Sequence, residues 1–192
     1  MPPHHPPHRP PMFVRLDAPL PRLPRCAPTK LLYRFGKTVA SRFHGVSYFA
    51  VGGEVEALLL GILPEAVRPY FLCSYMVVNH HDVPPHIDNG IRLSLNYYVQ
   101  TAGATTTFYR FKSAQVEVEK LDNNEPGSPA GLYSRQNLEV VGSFTAGPHE
   151  LWALDVSQPH DVVGDAGAID REAYCLQSRS VGFKELLDWV QR

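Results

Sequence analysis

The 192-residue sequence has few of the features that would assign it to a membrane-spanning, disulfide-bonded or zinc-finger class. Its three cysteines, Cys26, Cys73 and Cys175, lie far apart and form no CxxC pair. Such cysteines are typical of reduced thiols, so we expect a cytoplasmic protein without a disulfide framework. No apolar run approaches the roughly 20 residues of a transmembrane helix, and the Pro- and His-rich first residues lack the pattern of a signal peptide. We therefore expect no membrane partner.

The sequence also lacks an excess of charge of either sign, and it lacks the motifs of several common enzyme classes. The formal net charge is only -1, which argues against a broad electrostatic surface for nucleic acid. No GxSxG occurs, and the Gly52-Gly53 pair has neither the spacing nor the lysine of a phosphate-binding loop. The sequence therefore disfavours a nucleic-acid partner, a serine nucleophile and a P-loop. The 44% of hydrophobic residues is ordinary for a folded domain.

The chain divides into a low-complexity N-terminal segment and one folded domain. Residues 1–12 are almost all Pro, His and Arg, and proline recurs up to residue 28. A segment of this composition buries little apolar surface, so we expect residues 1–28 to be disordered or to run over the surface. Residues 29–192 are enough for one domain with its own core.

Patterns of helix and then of strand follow one another along this domain. Helix formers with apolar periodicity predict a helix at 54–63, and a proline at the first turn predicts another at 64–70. Alternating, β-branched and aromatic residues then predict about eight short strands. These predicted elements are a first strand at 30–35, strands at 71–79, 92–100, 105–111, 115–121, 138–144, 150–156, 160–163 and 173–183, and a closing helix at 183–192. Regular short strands favour a sandwich or barrel, with cupin-like jelly rolls among the options.

Two short histidine motifs flank much of this β region. His86 and Asp88 precede the strand at 92–100, and residues i and i+2 of an extended segment point the same way. His160, in Pro159-His160-Asp161, begins another predicted strand. Two histidines and one carboxylate form the facial triad of non-haem Fe(II) oxygenases, which leaves coordination positions open. We therefore predict a metal held by His86, Asp88 and His160.

Other residues compete for these ligand positions. With nine histidines in the chain, an HxD tripeptide arises easily by chance, and His80 and Asp82 form a second one. His149, at the start of the strand before His160, is an alternative distal ligand. The context favours the first set, because a turn and an aromatic strand follow Asp88 and an arginine-bearing last strand follows His160.

The sequence HIDNGIRLSLNYYV at residues 86–99, the later PHDVV at 159–163 and the last strand together resemble a known enzyme family. They are similar to the 2-oxoglutarate- and Fe(II)-dependent dioxygenases, and most of all to the prolyl-hydroxylase-like branch. The resemblance covers residues 71–183. It implies a mainly β, double-stranded β-helix (a cupin-like jelly roll) with supporting N-terminal helices. It also implies that the triad binds Fe(II) and that 2-oxoglutarate is the cosubstrate.

The resemblance further implies a cation and a hydroxyl donor for the far carboxylate of 2-oxoglutarate. Arg171 lies 11 residues after His160 and Arg179 lies 19 after it. Because the two share strand parity, both remain candidates, and Arg171 has the spacing closer to that of the family. Tyr98 matches the second tyrosine of the family's pair. All three are predicted cosubstrate-binding residues.

Two departures from the family concern the connections around the site. The segment 164–170 is longer than the compact turn of prolyl hydroxylases, which keeps the choice of arginine open. The polar segment 121–136 lies where such enzymes place substrate-covering loops, and a plain surface connection fits it equally well. Asn89 and Asp161 adjoin predicted ligands and are candidates to support them.

The function implied is that of a hydroxylase. Such an enzyme uses O2 and 2-oxoglutarate to hydroxylate a C–H bond of a small-molecule or peptide substrate, a prolyl or other amino-acid side chain among the options, and releases succinate and CO2. Two alternatives stay open. One is a cupin-like metalloenzyme that does not use 2-oxoglutarate and needs no buried arginine. The other is a non-catalytic jelly-roll binding module with surface histidines.

Overall fold

The computed structural model describes residues 11–27, 30–35, 46–79, 82–120, 129–164 and 170–190. Within these residues the chain forms thirteen strands and two α-helices. The strands are β1 Phe13–Leu16, β2 Leu31–Phe35, β3 Val46–Phe49, β4 Phe71–Val78, β5 Asp82–Asp88, β6 Leu93–Gln100, β7 Thr105–Phe111, β8 Val118–Lys120, β9 Pro129–Tyr133, β10 Leu138–Thr145, β11 Leu151–Leu154, β12 His160–Val163 and β13 Arg171–Ser178. The helices are α1 Gly53–Leu60 and α2 Phe183–Val190, with 3₁₀ turns at Glu65–Tyr70 and Arg135–Asn137.

The strands form two antiparallel sheets. The larger sheet has the order β1-β11-β6-β13-β4-β3-β2, and the smaller has the order β10-β7-β12-β5-β9-β8. Their inner faces share one hydrophobic cluster, which includes Met76 and Tyr98 from the larger sheet and Phe108 and Leu132 from the smaller. The two facing sheets form a double-stranded β-helix, which confirms the predicted mainly β, cupin-like fold.

The second hydrophobic cluster covers the outer face of the larger sheet. Leu59 of α1 and Leu186 of α2 pack there against Leu95 and Leu176 of the central strands. The helices therefore support the sheet, as predicted. No helix in the described ranges combines the length and the hydropathy needed to cross a membrane. The three cysteines are free thiols.

The N-terminal segment contributes more to the fold than its composition predicted. Residues 1–10 lie outside the described residues, but β1 pairs with β11 at the edge of the larger sheet. The Phe13 ring packs 5.0 Å from that of Phe144 and 5.4 Å from that of Phe108. The sequence does not predict this strand, because four residues followed by prolines give too short a periodic pattern.

Residues 18–26 then cross the outer face of the larger sheet as a strap. The Leu23 amide donates to the Tyr97 hydroxyl at 3.2 Å, and the Tyr174 hydroxyl donates to the Pro24 carbonyl at 3.0 Å. The Arg25 guanidinium pairs with the buried Glu172 carboxylate. The strap is therefore hydrogen-bonded to the sheet, and its Leu23 side chain is buried.

Other elements differ from the sequence prediction in number and in length. In the described residues, thirteen strands replace the eight or nine expected, because β1, β3, β5 and β9 also take part in the sheets. The segment 121–136 is not all loop: β9 pairs with β5 and β8, whereas residues 121–128 lie outside the described residues. The last strand begins at Arg171 rather than at residue 173, since its first residues pair with β4. It ends at Ser178.

Candidate metal centre

Two neighbouring strands of the smaller sheet bring the three predicted ligands together. His160 on β12 lies opposite His86 on β5 in the antiparallel register. The ligand atoms of His86, Asp88 and His160 all lie within 4.8 Å of one another. The Asp88 Oδ1 atom is 3.4 Å from the His86 Nε2 atom and 3.9 Å from the His160 Nε2 atom. Ligands about 2 Å from a common ion lie roughly 3 Å apart, so a small adjustment would close this set on a metal.

Backbone carbonyls fix the orientation of both imidazole rings. The Nδ1 atom of His86 is 2.8 Å from the Pro84 carbonyl, and that of His160 is 3.0 Å from the Gln158 carbonyl. A carbonyl accepts a hydrogen bond only from a protonated Nδ1, which leaves Nε2 of the neutral ring to bind a metal. The donor set therefore fits a divalent metal ion.

Burial keeps the distal histidine neutral. His86, Asp88 and His160 are all buried. Burial, with a smaller effect of the neighbouring His86, lowers the pKa of His160 to about 4 although Asp88 and the Gln158 carbonyl oppose the shift. A ligand histidine must be neutral to bind, so His160 needs no deprotonation at neutral pH.

The three ligands open onto a cavity between the two sheets. Its volume is about 70 Å³. The wall is apolar on the side of β3, β5 and the ends of β4 and β11, and polar on the inner faces of β6 and β13. Its polar residues besides the ligands are Ser94, Asn96, Tyr98, Thr106, Arg171, Cys175 and Gln177.

Arg171 is a buried cation at one end of this cavity. Its Nη2 atom donates to the Tyr98 hydroxyl at 2.7 Å and to the Thr106 hydroxyl at 3.0 Å. Its Nε atom has no hydrogen-bond partner within the described part of the chain, and none of the ion pairs formed there involves Arg171. An unpaired buried charge is costly. Arg171 therefore has a free N–H donor that a bound anion could accept from. A guanidinium binds a carboxylate through two parallel hydrogen bonds.

The competing residues lie elsewhere. Arg179 is exposed, follows the end of β13 and packs beside Gly90 instead of lining the cavity. His149 sits in a turn with a φ of 65° and lies 3.1 Å from the Tyr97 hydroxyl, away from the other ligands. Asp82 is exposed, and His80 lies outside the described residues. Of the two predicted arginines, only Arg171 shares the cavity with the triad.

The residues next to the ligands have other partners. Asp161 is fully buried, but it accepts hydrogen bonds from the Tyr109 hydroxyl at 2.7 Å and from Arg135 Nε at 2.8 Å. Neighbouring strand residues point to opposite faces, so Asp161 faces away from the side of β12 that carries His160. Burial, assisted by Asp161, raises the pKa of Tyr109. Among the described residues, Asp161 therefore forms no direct hydrogen bond with a predicted metal ligand. Asn89 is half-buried beside Gly90.

Several cavity residues were missed from the sequence. Thr106 is the middle one of three consecutive threonines, and the sequence does not tell which of them faces inward. Ser94, Asn96 and Gln177 alternate with apolar residues that gave the stronger pattern. The alternation of side chains along β6 could have identified two of them. Tyr98 is a predicted cosubstrate-binding residue, and residues 94 and 96 lie on the same face of the strand.

Fold and site together define a double-stranded β-helix with a candidate metal centre. No protein-family model matches the chain, and no curated protein matches it. Among solved structures it is similar to the Escherichia coli ribosomal oxygenase YcfD, with 14% identity and a TM-score of 0.43 over 74% of this chain and 34% of that one. It is also similar to the L-ribose isomerase of Geodermatophilus obscurus, with 19% identity and a TM-score of 0.36 over 75% of this chain and 65% of that one.

These likenesses are partial in extent. The chain spans about a third of the length of YcfD and less than two thirds of that of the isomerase. The similar structures include both an oxygenase and an isomerase, and these similarities do not distinguish between the two reactions.

Proposed function

We propose that this chain is a 2-oxoglutarate- and Fe(II)-dependent oxygenase that hydroxylates a C–H bond of its substrate. His86, Asp88 and His160 would hold the iron, and Arg171 with Tyr98 would bind the far carboxylate of 2-oxoglutarate. The observation that carries the proposal is the buried guanidinium of Arg171 in the same cavity as the triad, which forms no ion pair with any described residue. A buried cation of this kind is explained by an anionic ligand that belongs there.

The residues present fit both groups. Two neutral imidazoles and one carboxylate are the ligands of non-haem Fe(II), which when bound supplies the oxidative decarboxylation of 2-oxoglutarate to succinate and CO2 and the transfer of oxygen to the substrate. The residues of the chain would orient the cosubstrate and exclude water from the cavity. Arg171 holds the cosubstrate carboxylate, the Tyr98 and Thr106 hydroxyls orient the guanidinium, and the apolar wall keeps water out.

The two alternatives explain the site less well. A metalloenzyme that does not use 2-oxoglutarate needs no buried arginine beside the metal. A binding module with surface histidines disagrees with the burial of both His86 and His160. A small molecule or a peptide remains the proposed substrate with O2, and the prolyl-hydroxylase-like branch remains the one that the sequence resembles.

Anaerobic binding of Fe(II) and 2-oxoglutarate tests the proposal without knowledge of the substrate. We expect the charge-transfer absorption of the iron chelate when 2-oxoglutarate is added to the iron-loaded protein. Arg171→Gln should still bind iron but should raise the Kd of 2-oxoglutarate roughly 100-fold, because a charge-assisted bidentate contact is lost. Arg179→Gln is the matched control and should behave as the wild type. His160→Ala should lose the iron.

Each contrary outcome points to one alternative. Iron binding without an absorption change at saturating 2-oxoglutarate would favour a metalloenzyme that does not use this cosubstrate. If the wild-type protein bound no more iron than His160→Ala, the result would favour a non-catalytic binding module. A larger effect of Arg179→Gln than of Arg171→Gln would place the carboxylate outside the cavity and contradict the assignment.

A further inference from the structure

The inner faces of the central strands carry a polar patch at the end of the cavity away from Arg171. Ser94 and Asn96 of β6 and Gln177 of β13 line the cavity, and Ser74 of β4 lies beside Cys175. All four polar residues are less than 10% exposed. The register places Gln177 opposite Ser94, and Cys175 opposite both Asn96 and Ser74, so the patch is continuous across three strands.

The hydrogen bonds inside this patch leave part of it unused. The Ser94 hydroxyl donates to Asn96 Oδ1 at 2.7 Å, and Asn96 Nδ2 donates to the Tyr98 hydroxyl at 3.4 Å. The Oε1 atom of Gln177 is buried and has no partner within the described residues, and the same is true of the Ser74 hydroxyl. Buried polar atoms in proteins are almost always paired. The Gln177 carboxamide, which lines the cavity, therefore has hydrogen-bonding capacity to offer a bound molecule.

The charges around the cavity restrict what that molecule can be. Besides the three metal ligands, Arg171 is the only charged residue among the described residues that line the cavity. With 2-oxoglutarate on Arg171, the remaining wall consists of apolar, hydroxyl, thiol and carboxamide groups. A charged substrate group would lose its hydration there without a counter-ion. The reacting part of the substrate is therefore uncharged.

We propose that Gln177 determines specificity by pairing with a neutral amide of a peptide substrate next to the candidate metal centre. A carboxamide offers one donor and one acceptor side by side, which is the complement of an amide group. This inference rests on the proposed function, since it assumes that 2-oxoglutarate occupies Arg171.

Small amides and their charged counterparts provide the test. The protein is loaded anaerobically with Fe(II) and 2-oxoglutarate, and the binding of N-methylacetamide, acetate, methylammonium and 1-methyluracil is measured by titration calorimetry. We expect a Kd for N-methylacetamide at least tenfold lower than those for acetate and methylammonium. Gln177→Met, which keeps the length of the side chain, should raise the Kd for N-methylacetamide about tenfold, because the amide then lacks its partner.

A matched control separates this effect from a general loss of structure. Gln100→Met changes the same residue type on β6, but Gln100 donates to the Asp170 carbonyl and does not line the cavity. It should leave the binding of N-methylacetamide unchanged. The Kd of 2-oxoglutarate should stay at the wild-type value in Gln177→Met, since Arg171 is intact.

The contrary results are specific. Equal or tighter binding of acetate or methylammonium, no binding of the amide up to its solubility, or an unchanged Kd in Gln177→Met would each overturn the inference. Tighter binding of 1-methyluracil than of N-methylacetamide would assign the patch to a nucleobase instead of a peptide. A failure of the proposed function looks different, because wild type and Gln177→Met would then both fail to bind 2-oxoglutarate.

Discussion

The two faces of the central strands β6 and β13 show how one pair of strands serves two purposes. On the outer face, Leu95 and Leu176 are fully buried beneath the helices in a mainly apolar layer. On the inner face, the alternate residues include Asn96, Arg171 and Gln177, which are just as buried but polar or charged. Equal burial with opposite chemistry indicates that the outer face of these strands serves mainly packing, whereas their inner face also contributes to the candidate site.

The unsatisfied polar atoms of β6 and β13 follow the same division. Arg171 Nε and Gln177 Oε1 both face the cavity, and both are buried without a partner within the described chain. On the outer face, the buried Glu172 carboxylate accepts from both Tyr75 and Arg25. A protein tolerates unpaired buried groups where a ligand completes them and pairs them where stability is at stake. Substitutions on the two faces should therefore separate stability from binding.

The largest expected effect is on the outer face. Leu176→Ala should lower the free energy of unfolding by about 2–5 kcal/mol, because it removes a buried side chain from a packed layer. The folded variant should still bind Fe(II) and 2-oxoglutarate with unchanged Kd. Urea unfolding at constant pH measures the first quantity, and anaerobic titration the second.

The neighbouring residue on the other face is the comparison for Leu176. Cys175 is as buried, but its sulfur borders an existing cavity. Cys175→Ala should therefore cost about 1 kcal/mol or less, since little packed volume is lost. If Cys175→Ala proved as destabilising as Leu176→Ala, the inner face of β13 would stabilise the fold as much as its outer face, and the contrast between the two faces would not hold.

The sequence predicted one of these faces much better than the other. The alternation of Leu93, Leu95, Tyr97 and Val99 indicates the apolar outer face. On the inner face, the spacing from His160 only favours Arg171 over Arg179 and leaves both open. Gln177 gave no local signal, because its importance depends on Ser94 lying opposite to it on another strand. Likewise, Phe13 joins the inner core only through the pairing of β1 with β11. Periodicity and spacing are local properties, whereas register between distant strands is not.

A smaller loss of stability is expected where the strap meets the outer face. The Tyr75 hydroxyl donates to the buried Glu172 carboxylate, and burial, followed by Glu172, raises the pKa of Tyr75, so the phenol stays protonated. Tyr75→Phe should cost about 1–3 kcal/mol in urea unfolding, because a buried carboxylate loses one of its donors. The affinities for Fe(II) and 2-oxoglutarate should not change.

Tyr174 is the matched control for Tyr75. Its ring packs edge-on against that of Tyr75 at 4.7 Å, and its hydroxyl donates to the neutral Pro24 carbonyl. Tyr174→Phe should therefore cost less, about 0.5–1.5 kcal/mol. A larger loss for Tyr174→Phe than for Tyr75→Phe would show that the charge of Glu172 is not what makes the contact strong.

The adjacent tyrosines of β6 give the smallest effect and the sharpest contrast between the two faces. Tyr97 points outward, where its hydroxyl accepts from the Leu23 amide, and Tyr98 points inward, where it accepts from Arg171. Tyr97→Phe should lower the free energy of unfolding by about 0.5–1.5 kcal/mol and leave the Kd of 2-oxoglutarate unchanged. Under the proposed function, Tyr98→Phe should raise that Kd about tenfold, since the guanidinium loses the hydroxyl that orients it and 2-oxoglutarate loses a donor. Unfolding and anaerobic titration of both variants decide the matter: if the two substitutions weakened 2-oxoglutarate binding equally, the effect would come from distortion of β6 and not from the face that each ring occupies.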